Sequence, residues 1–507
     1  MRQLFVDKND RDLKILMWIL LLGLGLRIAV IPLSMTTEGD AAVRVGLAAE
    51  WLENPTLILH GVWLPLQTYY TAAAIWLTQE WVLTPIYLNI FFSVVTAIPL
   101  YYFTKHEFGT SIAGFASAAF LLYPIAFRNS LMAMSDTPFA FFVALGMWGL
   151  AVARQQNSSV WYATVAGLSM LLASALRFEG WILIPLMAVV LWRRPKQMLI
   201  FVGLAMLMPL AWIIGSGLIN GDFLYSLKYQ AEDTASTLTT RGGMTLLKRF
   251  ARAIFIPGVL AFGMTLPLFG LSLWGAIASL TRRNRAAVWL VPFFGLFSLL
   301  CYKSVGGTMN LQPRYVLVLG MLLLPFAVVG LEAICSPRRR AWVGMATLLS
   351  MLPLSYAAHL TRPFLNRVLA DTQMQKRETP ASLLEAIPRL APATQDVIRL
   401  VQPQLQPDDA MLVLNLPEIG YLIPYPMGLP ASRLGIFPAG VSSPQGQSRV
   451  SAFLYSQSQG LLLAAQPTFS NDSDQLFRWQ PTPELTVTVQ PVQTVHDVVI
   501  YRYVVEK

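Results

Sequence analysis

Apolar residues come in long unbroken runs up to about residue 357, divided by short polar punctuation, and in brief alternating stretches after it. A helix needs roughly 20 apolar residues to cross about 30 Å of hydrocarbon. Such runs fall near 13–33, 84–104, 111–127, 137–153, 160–176, 180–192, 198–218, 251–279, 287–301, 314–334 and 341–357, which predicts about eleven transmembrane helices. The piece 180–192 is short enough to be re-entrant or tilted. Between the first two runs lies a long loop, 34–83, whose segment Leu64–Leu77 is apolar and aromatic yet too short to span. With Trp51, Trp63, Trp76 and Trp81 around it, this segment reads as helices in the interface plane.

After Ala357 the pattern changes. Ala381 to Gln404 has a helical reading, while Met411–Asn415, Leu485–Val489 and Val498–Val504 are β-branched and apolar enough to be strands. The chain therefore divides into a transmembrane domain, 1–357, and a small C-terminal α/β domain, 358–507.

Composition agrees with the pattern. Of 507 residues, 55% are hydrophobic and only 13% charged, with a mean hydropathy of +0.54; a soluble domain carries about 25% charged residues. The net charge of +10 is not a nucleic-acid footprint, because the basic residues sit in clusters between apolar runs. Alternating from a cytoplasmic N-terminus places Lys105, Arg154, Arg193-Arg194-Pro195-Lys196, Arg282-Arg283-Asn284-Arg285 and Arg338-Arg339-Arg340 on the inner side, as the positive-inside rule demands. The opposite side receives the loops 34–83 and 219–250 and the C-terminal domain, giving a multi-pass protein of the cell (inner) membrane with that domain outside. The N-terminal basic residues and first run lack a small-residue cleavage site and read as a retained anchor. Cys301 and Cys335, at opposite ends of successive runs, cannot pair, and four scattered histidines make no ligand set.

Charges on the outer side stand at the ends of runs: Glu38 and Asp40, Arg128 with Asp136, Arg177 with Glu179, then Lys303 and Arg314. Ionisable groups at such depths face a cavity or pair with one another. Asp40 opens a helical stretch, so an N-cap role competes with a catalytic one. Arg177 sits between two runs with almost no loop, and its planar fork suits a phosphate, as does that of Arg314 in Gln312-Pro313-Arg314-Tyr315. Lys248, Arg249 and Arg252 either belong to the same cluster or face lipid headgroups, and the headgroups are the favoured reading. No phosphate-binding loop, dinucleotide fingerprint or nucleophile elbow is present.

Taken in order, the acidic pair Glu38/Asp40, Phe108-Gly109, Ser135-Asp136-Thr137-Pro138-Phe139, Arg177-Phe178-Glu179-Gly180 and Arg314-Tyr315 resemble the GT-C glycosyltransferases. The nearest branch is the protein mannosyltransferase and aminoarabinose transferase type (glycosyltransferase family 39-like), over about residues 10–335. The resemblance implies transfer of a sugar from a polyprenyl-phosphate donor to a lipid, glycan or protein acceptor on the outer side of the membrane. It implies Asp40 as general base with Glu38 beside it, Asp136 as the second acidic position, and Arg177 and Arg314, with Lys303, on the donor phosphate. Glu179 and Arg128 would support them. No cofactor is required; a divalent cation at Glu38, Asp40 and Asp136 stays open on charge grounds. The Trp-Trp-Asp type motif of oligosaccharyltransferases is missing, which argues against transfer of whole glycans to asparagine. Two other classes compete: a polysaccharide polymerase or ligase using a lipid-diphosphate donor, and a secondary transporter. The transporter would place charges at the midplane of repeat-related helices, and no internal repeat is found.

Overall fold

The computed structural model describes residues 10–31, 39–78, 83–108, 113–155, 159–229, 231–232, 245–351, 392–414, 416, 429, 433–437, 444–465, 477–495 and 498–506. Glu38, Gly109 and the expected domain boundary near 357 lie outside them.

The helical part begins with α1 (Asp10–Val30), α2 (Gly39–Glu53), α3 (Leu66–Thr78) and α4 (Leu83–Phe108). It continues through α5 (Ala113–Leu122), α6 (Pro124–Ser130), α7 (Asp136–Ala153), α8 (Val160–Ser174) and α9 (Glu179–Ala188). Next come α10 (Pro195–Ala205), α11 (Leu207–Asn220), α12 (Leu246–Gly263) and α13 (Leu266–Thr281). It ends with α14 (Leu290–Gly306), α15 (Leu317–Ile334) and α16 (Pro337–Leu349).

Among the described residues six stretches are long and apolar enough to cross a membrane: Leu13–Val30, Leu83–Phe108, Asp136–Ala153, Pro195–Asn220, Arg285–Gly306 and Pro313–Ile334. The run expected as one span over 251–279 is two helices, α12 and α13, bent by 105°, and counting them as one span brings the total to seven. Thr265 makes the break with a φ of 66°, and Pro267, in the first turn of α13, has no N–H to continue the preceding ladder. The expected eleven are thus not reached by length. The runs at 111–127, 160–176 and 180–192 yield the shorter apolar helices Ala113–Leu122, Val160–Ser174 and Glu179–Leu191, and α16 is only 13 residues long.

At the centre, α15 is buried along nearly its whole length, with α13 laid against it. Here the backbones touch. A Cβ built on Gly275 would stand 1.8 Å from the Phe326 carbonyl oxygen, and one on Gly330 would stand 2.1 Å from that of Leu271. Small residues permit this approach, which replaces the missing hydrophobic drive between helices in lipid. Gly275→Ala should therefore cost at least the ~1–3 kcal/mol of an overpacked core. Thermal unfolding of the purified variant checks this, and an unchanged midpoint would mean that the two helices separate without cost.

Arg27, in the last turn of α1, is fully buried. Its guanidinium donates to Ser130 Oγ (3.0 Å), Ser93 Oγ (3.0 Å), the Leu121 carbonyl (3.1 Å) and the Gly23 carbonyl (3.1 Å). Its charge-assisted bonds lock α1 to α4, α5 and α6, and removing them would strand several polar groups in hydrocarbon.

The C-terminal part holds α17 (Pro392–Val401), α18 (Pro444–Ser456) and a six-stranded sheet in the order β2-β1-β3-β6-β5-β4. The strands are β1 (Ala410–Leu414), β2 (Leu434–Phe437), β3 (Gln459–Ala465), β4 (Phe477–Thr482), β5 (Leu485–Val495) and β6 (Val498–Glu506). β1 pairs in parallel with β2 and β3, and the other pairs are antiparallel. Alternate residues face opposite cores: Leu412, Leu462 and Tyr501 pack with Val450 and Leu454 of α18, whereas Met411, Leu461 and Ile500 pack with Val397 and Val401 of α17. The expected strands at 411–415, 485–489 and 498–504 fall within β1, β5 and β6, apart from Asn415, which is outside the described residues. β2, β3 and β4 carried no clear alternation.

Candidate active site

Helix ends bring together several of the charges expected on the outer side. Between α8 and α9 only four residues intervene, 175–178, so Arg177 has little freedom. The Gly180 N–H donates to the Arg177 carbonyl (3.0 Å), the Trp181 indole donates to the Ser174 carbonyl (3.0 Å), and the Leu66 N–H at the start of α3 donates to the Ala175 carbonyl (3.1 Å). From this turn Arg177 makes three bonds. Nη1 donates to Asp136 Oδ1 at 2.7 Å, Nη2 to Glu179 Oε1 at 2.7 Å and Nε to Glu179 Oε2 at 3.2 Å. The pairing with Glu179 is the bidentate fork that Lys cannot reproduce. Burial works against the charge on Arg177, but Asp136 and Glu179 outweigh it and hold the guanidinium above the usual arginine range.

Arg314 stands in a short 3₁₀ turn, Pro313–Val316, just before α15. It reaches across 274 residues of sequence to the carboxylate of Asp40, the second residue of α2. Its Nη1 also approaches Met134 Sδ at 3.5 Å. Asp40 therefore sits in the first turn of α2 with its carboxylate engaged by a cation. The Tyr315 ring lies beneath both arginines, 5.3 Å from the Arg177 guanidinium carbon and 5.9 Å from that of Arg314. A small cleft opens between these groups, lined by Asp136, Phe139, Arg177, Glu179, Arg314 and Tyr315. Lys303, half-buried near the end of α14, is within electrostatic reach of Glu179. Arg128 is half-buried on α6, which leads into the segment 131–135.

Among the described residues no three His, Cys, Asp or Glu converge as a metal site would need. Glu38, one of the three carboxylates considered for a cation, lies outside them.

Two arginines escaped the sequence reading. Arg252 does not face headgroups: it is buried in α12, with Nε donating to the Ser304 carbonyl (2.6 Å) and Nη2 to that of Met309. Ser304 Oγ donates in return to the Arg252 carbonyl (2.6 Å), so this pair fastens the loop that leads to Arg314. Arg44, one turn beyond Asp40 on α2, is also buried. Its Nη1 donates to Gln67 Oε1 at 2.6 Å, and the Trp63 ring covers its face at 4.9 Å. Burial first, then the fields of Arg314 and Arg177, press its ionisation down to about 10, so it stays charged at neutral pH. The Asp40–Arg44 spacing of four, on a helix whose next turns are apolar, was the available signal.

No protein-family model and no curated protein matches the sequence. Solved structures do match in fold. ArnT from Cupriavidus metallidurans bound to undecaprenyl phosphate superposes with a TM-score of 0.63 at 14% identity, covering 96% of this chain and 97% of that one. Its apo state gives 0.61 at 15% identity, over 95% and 97%. The fold is that of ArnT. The match spans the helical part and the C-terminal sheet together, as the coverage requires. An archaeal oligosaccharyltransferase, AglB from Archaeoglobus fulgidus, gives 0.49 at 14% identity over 90% of this chain and 69% of that one.

Proposed function

We propose that this protein is a membrane glycosyltransferase that moves a sugar from a polyprenyl-phosphate donor to an acceptor hydroxyl on the outer side of the membrane. The observation that carries the reading is the meeting of Asp40 with Arg314, beside Arg177 and over Tyr315, at the mouth of a helical bundle of the ArnT fold. The undecaprenyl phosphate bound in the ArnT structure supports the donor class.

The chemistry follows from the charges. As the donor arrives, its phosphate takes the place of the Asp40 carboxylate against Arg314. Asp40 is then free to accept the hydroxyl proton of the acceptor as its oxygen attacks the anomeric carbon. The bond from that carbon to the phosphate oxygen breaks, the electron pair leaves with the phosphate, and fixed cations take up the growing charge. One displacement inverts the anomeric centre. No covalent intermediate is needed. The C-terminal sheet, on the same side of the membrane, is where the acceptor would be selected.

Membranes containing the protein, offered a panel of radiolabelled polyprenyl-phosphate sugars and of lipid-diphosphate oligosaccharides, should transfer label from a monophosphate donor. Transfer from the diphosphate donors alone would make it a polymerase or ligase instead.

A further inference from the structure

Three arginines gather at Asp40, and they are not equivalent. Arg177 carries Asp136 and Glu179, and Arg314 carries Asp40. Among the described residues Arg44 has no carboxylate within hydrogen-bond distance: its Nη1 donates to the neutral carboxamide of Gln67. Its Nε is buried and without a hydrogen-bond partner. Arg44 is 9% exposed, and Asp40 and Asp136 act on its charge without a hydrogen bond to it, which leaves a buried cation incompletely compensated.

The surroundings hold Arg44 in this state. Gln67 Nε2 donates to the Ala133 carbonyl at 2.7 Å, so Gln67 cannot swing away without losing a second bond. Asn89 Nδ2 donates to the Met134 carbonyl at 2.9 Å and steadies the same segment from α4. Met134 in turn touches Arg314, and Arg314 holds Asp40. The circuit closes through one turn of α2 from Asp40 back to Arg44. A guanidinium locked in place, charged, and without a hydrogen-bonded carboxylate among the described residues is placed to receive an anion.

We infer that Arg44 receives the phosphate of the lipid donor together with Arg314, because Arg177 and Arg314 each have a carboxylate within hydrogen-bond reach and Arg44, among the described residues, has none. The inference rests on the donor class proposed above. It also arranges the reaction. Residues one turn apart on a helix stand ~6 Å from each other, so base and leaving group would flank an anomeric carbon from the two ends of the first turn of α2.

The test is direct binding of radiolabelled undecaprenyl phosphate, and of undecaprenol, to the full chain in lipid nanodiscs. The proteins compared are wild type, Arg44→Gln and Gln67→Glu. Loss of a charge-assisted contact is expected to weaken phosphate binding by about ten- to a hundredfold in Arg44→Gln, while undecaprenol binds as in wild type. Gln67→Glu keeps Arg44 but gives it a carboxylate, and should lose phosphate affinity in the same selective way. If Arg44→Gln does not fold, Gln67→Glu carries the test alone. Phosphate affinity equal to wild type in the folded variants would overturn the role of Arg44 and leave the donor class standing. An equal loss for undecaprenol would reduce Arg44 to a packing residue. Wild type that binds the alcohol and the phosphate alike would overturn the inference and the donor class together.

Discussion

Asp40→Asn is expected to leave a folded, membrane-inserted protein that transfers sugar ~10²–10⁴-fold more slowly, the usual scale for a positioned proton acceptor. The change keeps size, keeps an oxygen that can accept from Arg314, and removes only the carboxylate's basicity and charge. Asn serves the start of a helix about as well as Asp, and the Asp40 side chain is 35% exposed, so the fold should register little. A single-turnover assay with saturating donor checks this against donor binding measured separately. Wild-type turnover would leave Asp40 as a structural partner of Arg314 and nothing more.

Arg177→Met should have the largest effect on stability and abolish transfer as well. Asp136 is 3% exposed and Glu179 19%, and both lean on the one guanidinium. Removing it leaves two buried carboxylates side by side. Breaking such a buried arrangement costs about 3–5 kcal/mol, whereas replacing every member with neutral groups of similar shape is often nearly neutral. Arg177→Met with Asp136→Asn and Glu179→Gln should therefore regain most of the lost thermal stability and none of the activity. If the single variant unfolds at the wild-type midpoint, the charges in this cluster do not depend on one another.

Buried arginines divide what was legible in the sequence from what was not. Arg177 could be read because only residues 177–179 separate two apolar runs, so a charge there has to sit at a membrane edge. Arg314 was legible for the same reason, lying just before the most apolar late run. Arg252 looked like its neighbours Lys248 and Arg249, because which face of α12 meets α14 is not written in a basic cluster. Arg27 interrupts an otherwise unremarked apolar run, and three of its four partners come from three other helices.

By itself the sequence determined that the chain is a multi-pass membrane protein ending in a small α/β part, and which charges lie at the ends of its apolar runs. Hydrocarbon thickness and the cost of placing charge in lipid act on each run separately, so those features can be read locally. Only the tertiary structure decided that 251–279 breaks into two helices at 105°, that Asp40 meets Arg314 across 274 residues, and that Arg44 is buried against Gln67 with no carboxylate hydrogen-bonded to it among the described residues. Those outcomes depend on which helix faces pack together, and in this core the close backbone contacts at Gly275 and Gly330 help to set the packing. A run of apolar residues says that a helix will be buried in lipid or protein, but not which neighbour its one charged side chain will find.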